Sequence, residues 1–142
     1  MRALFALPLV AVVASAGPPP GLPSYTAGYT KWTKLNARPI PPRANDPHRS
    51  TKNVYASKLP RRGTTRYPVG TVIVKEGRNG GFVSLIAVMR KVKATGPNNG
   101  WVMIEWTRQS ARGRFSELAR GQVCYSCHVG ARKTDYVFTR RR

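Results

Sequence analysis

Two cysteines, Cys124 and Cys127, stand three positions apart with His128 directly behind them, close to the end of a 142-residue chain. This placement constrains the fold more than any other feature. Residues three and four apart share one face of a helical turn, so the two thiols and the imidazole must project together from a short helix. Whatever they hold has to be enclosed by residues that come earlier in the chain. There are no further cysteines, and neighbours at this spacing make poor long-range staples, which argues against a disulfide framework. A zinc site would want four ligands, and His48 is the only other histidine. A thioredoxin-like dithiol needs a βαβ setting, which the strand pattern does not offer.

One use remains. Cys-x-x-Cys followed at once by His is the attachment signature of a c-type haem. The two thiols would reach the vinyl groups on one edge of the porphyrin, and neutral His128 would be the proximal iron ligand. Covalently attached haem c, with its iron, is therefore the expected cofactor. In an ordinary electron-carrying cytochrome c the motif lies near the N-terminus and a downstream Met ligates the other face. No Met or His follows His128 here. A sixth ligand would have to come from upstream, from Met89, Met103, His48 or a lysine, and a Met in an apolar strand more often fills core. An open or weakly occupied sixth position is expected, which favours binding or activating a small molecule. A six-coordinate electron-transfer cytochrome c is the alternative.

The length suits one compact domain. Arg2, the apolar run Ala3 to Val13 and the small-x-small Ala14-Ser15-Ala16 read as a signal peptide over residues 1–16. The expected product is periplasmic or secreted, with no membrane span after cleavage, since no later segment has about 20 consecutive apolar residues. Residues 17–30, rich in Pro, Gly, Ser and Thr, read as a flexible or extended lead-in, and residues 31–142 as the haem domain. With 25 Lys and Arg against 5 Asp and Glu the formal charge is +20. The basic residues are spread along the chain without a nucleic-acid motif, so a solvated surface that docks an acidic redox partner is expected, and no nucleic acid.

The middle of the chain reads as strands: Asn53 to Ser57, Thr71 to Glu76 after the turn signal Pro68-Val69-Gly70, Phe82 to Lys93 after Gly80-Gly81, and Trp101 to Thr107. Short turns between them predict an antiparallel meander. Phe115, Leu118, Ala119 and Val123 recur at helical spacing and predict a helix running into Cys124. The fold class is thus α+β: mainly antiparallel sheet with a few short helices. Alternation puts Thr71, Ile73 and Lys75 on one strand face and Trp101, Met103 and Glu105 on one face of another. Glu105, one of few carboxylates in a basic chain, is a candidate to take protons beside a dry pocket. Asp135 reads as structural, fixing the segment behind the haem.

A C-terminal Cys-x-x-Cys-His on a strand-rich chain resembles cytochrome P-460 and its relative cytochrome c-prime-beta. Tyr29-Thr30-Lys31-Trp32 resembles the family's opening helix and Lys52-Asn53-Val54-Tyr55 its first strand. The run Tyr67-Pro68-Val69-Gly70-Thr71-Val72-Ile73-Val74-Lys75-Glu76 is similar to its turn-and-strand motif, and Arg132 to Thr139 to its closing segment. The resemblance implies a pocket above the haem, often in a homodimer, and a small nitrogen compound as ligand or substrate. Cytochrome P-460 enzymes oxidise hydroxylamine and carry a lysine cross-linked to the porphyrin, which falls in the motif matched by Lys75. The c-prime-beta relatives lack the cross-link and bind nitric oxide.

Overall fold

A computed structural model describes residues 17–141; the expected signal peptide lies outside the described residues. Six strands form one antiparallel sheet in sequence order: β1 (Thr33–Lys34), β2 (Thr51–Ala56), β3 (Val72–Asn79), β4 (Phe82–Lys91), β5 (Trp101–Thr107) and β6 (Ser116–Arg120). A seven-residue helix α1 (Gln122–His128) and a 3-10 helix (Val129–Thr134) follow. The α+β class and the meander expected from the strand pattern are both present.

The turn chemistry explains the register. Gly80 and Gly81, at φ 58° and 86°, make the two-residue turn between β3 and β4, the backbone sign that a tight hairpin needs. That turn pairs Asn79 with Phe82 and, beyond a register shift at Gly77/Arg78, sets Lys75 opposite Ala87. Because side chains alternate along a strand, the sheet has two distinct faces. Val54, Ala56, Ile73, Met89, Trp101 and Met103 pack on one, with Leu35, Tyr67 and Val137 over them. Val72, Val74, Ile86, Val88 and Trp106 pack on the other, beneath Leu22, Tyr29 and Phe115. Each buried Val, Leu, Ile, Met or Phe among them contributes about 1.5–3 kcal/mol relative to exposure.

Two expectations are corrected. Residues 17–30 are not a flexible lead-in: they form 3-10 turns, with Leu22, Thr26 and Tyr29 buried. The Tyr29 hydroxyl donates to Glu76 Oε2 at 3.0 Å, and the Phe115 amide donates to the Pro20 carbonyl at 2.8 Å. Pro and Gly here shape a segment that covers the second face of the sheet, and apolar burial outweighs the local preference for extension. Nor do residues 115–120 begin the helix. Ser116–Arg120 is strand β6, paired with β5, and the helix starts after Gly121, whose φ of 64° turns the chain out of the sheet. Pairing satisfies backbone groups that β5 would otherwise leave open. The apparent helical spacing is a strand followed by a helix.

Candidate functional site

The site is built on the sheet face that carries Met89 and Met103. Val54, Lys75, Ala87, Glu105 and Ala119 occupy one cross-strand row from β2 to β6. Directly opposed residues of an antiparallel sheet project to the same side, so Lys75 and Glu105 are brought together across small Ala87. Cys124 and Tyr125 pack against the same face. The pairing of Lys75 with Glu105 is a product of register and was not legible in either strand alone.

His48 joins the two. Its Nε2 lies 3.1 Å from Glu105 Oε2 and its Nδ1 3.2 Å from Lys75 Nζ. Asp46 receives Lys52 Nζ at 2.7 Å, and Lys52 also donates to the His48 carbonyl at 2.9 Å. The loop carrying Asp46 and His48 is thereby fixed over the row, and the groove beside it is bordered by Asp46, Arg49 and Cys127. Sequence reasoning named His48 only as one of several upstream ligands and passed over Asp46. A signal existed: a histidine two residues after an aspartate, in a Pro-rich loop just before β2.

The proton inventory of the cluster is informative. Burial pushes the Lys75 ammonium below the ordinary lysine range, and the nearby Lys52 charge adds to it, while Asp46 and Glu105 oppose the shift. An ammonium on Lys75 would donate to His48 Nδ1 while His48 Nε2–H donates to Glu105. Moving one proton from Lys75 Nζ to His48 Nδ1 keeps both contacts. The three side chains thus form a short path along which a proton can shift without any atom leaving its neighbour.

Opposite them is α1, tethered rather than buried. None of its seven residues is buried, and an isolated helix of this length is unstable in water. The Gly121 amide donates to the Met103 carbonyl at 3.1 Å, and the Tyr125 hydroxyl donates to the Trp101 carbonyl at 3.0 Å. Past the helix, Asp135 takes a left-handed conformation, φ 54°, and is fully enclosed. It accepts from Lys91 Nζ at 2.8 and 2.9 Å, from Asn99 Nδ2 at 3.0 Å and from the Tyr67 amide at 2.9 Å. Asp135 has the structural role expected of it.

Asp135 positions the residue that matters most. Tyr136, at φ 66°, turns its carbonyl onto His128 Nδ1 at 2.7 Å. Nδ1–H donates there, which fixes the tautomer and leaves Nε2 free to act as a ligand. Burial lowers the His128 pKa, so the neutral, ligand-competent imidazole is favoured. Cys124 and Cys127 are free thiols three residues apart, the first partly buried and the second exposed. Two thiols, one oriented imidazole and an uncovered helix fit a haem held by its edge and its iron. Met89 and Met103 are 8% and 2% exposed within the core, as expected of core-filling methionines.

A family model described as Cytochrome P460 matches residues 26–139, most of the chain. No curated protein matches it.

Proposed function

Since the chain belongs to the cytochrome P460 family and is therefore a haem-binding cytochrome, we propose that it is an exported mono-haem c-type cytochrome that binds and oxidises a small nitrogen compound such as hydroxylamine. Cys124 and Cys127 would hold the porphyrin as thioethers, with His128 Nε2 as the proximal iron ligand. When bound, haem supplies an iron with an open coordination position and the capacity to take up electrons from a ligand.

The observation that carries this reading is the Lys75–His48–Glu105 path on the sheet face against which Cys124 packs. Oxidising hydroxylamine releases protons together with electrons. Glu105 is placed to accept a proton, and His48 can pass its Nε2–H to Glu105 while it takes one at Nδ1 from Lys75. Lys75, whose amine is biased toward its neutral, nucleophilic form by burial, is the residue for the family's porphyrin cross-link. The core methionines speak against a Met-ligated electron carrier. A second reading, a six-coordinate carrier, would need His48 to give up its contact with Glu105 or with Lys75 to take the sixth position.

The test is the absorption spectrum of purified holoprotein with the intact mass. Chain plus one haem, with colour lost in Cys124→Ala plus Cys127→Ala, is the expected result for attachment. A red-shifted ferrous spectrum that reverts in Lys75→Ala, with loss of hydroxylamine oxidation but not of nitric oxide binding, is expected for the cross-link. A low-spin spectrum that becomes high-spin in His48→Ala would replace the catalytic reading with the carrier. Export predicts a mature N-terminus near Gly17 in periplasmic material, and a full-length membrane-bound chain would refute cleavage.

A further inference from the structure

A groove of about 520 Å³ lies between the 59–65 loop and the chain segment that follows the 3-10 helix. Arg61, Arg62, Arg140 and Arg141 line it, with Tyr67 and Phe138 supplying apolar surface. The chain has five Asp and Glu side chains, and each is engaged elsewhere. Asp46 pairs with Lys52, Glu105 with His48, Glu117 with Arg120 and Asp135 with Lys91. Glu76 lies on the opposite face of the sheet, held by Tyr29 and Asn53. None of the side-chain carboxylates pairs with the four groove arginines, so the groove presents a strongly positive surface.

The position of the groove says what kind of partner that surface suits. Phe138 is 59% exposed and lines the groove, while its ring meets the His128 ring edge-on with centroids 5.3 Å apart. A molecule seated among the arginines therefore touches an aromatic ring that itself touches the imidazole. We propose that this arginine groove is the docking site of an acidic electron-transfer protein, which exchanges electrons with the haem from the His128 side. Guanidinium forks match carboxylates two bonds at a time, and a patch of one sign steers an oppositely charged partner and raises its association rate. A nucleic acid would satisfy the charge but gain nothing from the contact with His128. The inference rests on His128 being the haem ligand, as proposed above.

Reduced flavodoxin, an acidic one-electron donor, serves as the probe for stopped-flow reduction of the ferric holoprotein. Haem content of every variant is first checked by intact mass. At about 0.01 M ionic strength, where screening is weak, Arg61→Glu plus Arg140→Glu should slow the second-order rate about tenfold or more. At about 0.15 M salt the difference should shrink. Arg112→Glu, an exposed charge outside the groove, should change the rate much less. Phe138→Leu should lower the limiting rate at saturating donor with little change in half-saturation. Equal slowing by the Arg112 control, or a groove variant as fast as wild type, would overturn the proposal. So would a 20-mer oligonucleotide that binds the groove while flavodoxin reduction is indifferent to the same arginines. If the chain carries no covalent haem, the haem assignment fails, and calorimetric titration with flavodoxin still decides the groove by itself.

Discussion

Two charged clusters flank the same sheet, and they are built in opposite ways. Around Asp135 the accounting closes: a buried carboxylate meets a buried ammonium on Lys91, and Asn99 and the Tyr67 amide add further donors. Around Lys75 it does not close. The lysine reaches Glu105 only through His48, and its burial depresses its pKa rather than being answered by a direct ion pair. The difference separates a clamp from a cluster that suits the proposed proton path. Saturated hydrogen bonding holds Tyr136 and with it the His128 tautomer, whereas an unsaturated chain of donors and acceptors is free to move a proton. Stability lost at such sites is a common companion of activity.

The largest test of that contrast is Asp135→Ala. It leaves the Lys91 ammonium buried without a partner, which costs about 3–5 kcal/mol. Denaturant unfolding should show the loss, and His128 should lose its fixed tautomer with it. A change under about 1 kcal/mol would mean that the clamp is ornamental, against the usual cost of an orphaned buried charge. Asn99→Ala comes next. It removes one hydrogen bond to a charged group, worth about 1.5–3 kcal/mol, from a residue whose φ of 51° already favours Asn. Lys75→Met should go the other way. Replacing a poorly paired buried charge with an apolar side chain of similar volume is expected to leave stability unchanged or raise it by about 1 kcal/mol, while abolishing the chemistry assigned to the cluster. A strongly destabilised Lys75→Met would place Lys75 with Asp135 among the structural residues.

The smallest effect is a pH dependence. The folded Lys75 pKa lies below the unfolded one, so its protonation on folding is penalised below the ordinary lysine pKa of about 10.4. Its contribution is fully present above that value and is lost as pH falls toward the folded pKa. Before haem is attached, the wild-type chain should therefore gain on Lys75→Met as pH rises from about 8 to about 10.4. Tyr29, raised by burial and by Glu76, loses stability in the alkaline direction, but it is common to both proteins and cancels in the difference. A flat difference across this range would show that the lysine titrates normally.

Much of this was legible before the chain was folded. Strand β5 stands where its aromatic and aliphatic run placed it, from Trp101 to Thr107, because a bounded run of such residues has few other uses. Strands β3 and β4 begin within a residue of their turn signals, since Gly carries the backbone conformation that tight turns require. Ser116–Arg120 looks helical in the sequence because four apolar residues at helical spacing look alike whether they belong to one helix or to a strand joined to one. Only the open edge of β5, which no local pattern reports, decides between them.

Local chemistry in the sequence alone determined the Cys124–Cys127–His128 turn, the alternation that puts Lys75 beside Ile73 and Glu105 beside Met103, and the excess of positive charge. These depend on the spacing of neighbours, and spacing is written in the chain. The tertiary structure decided which neighbours meet. It set Lys75 and Glu105 in one row across Ala87, laid His48 between them from a loop far away in sequence, and turned the Tyr136 carbonyl onto His128. It also left four arginines around Phe138 with no side-chain carboxylate paired to them. Such contacts follow from strand register and loop closure, which are properties of the whole folded chain.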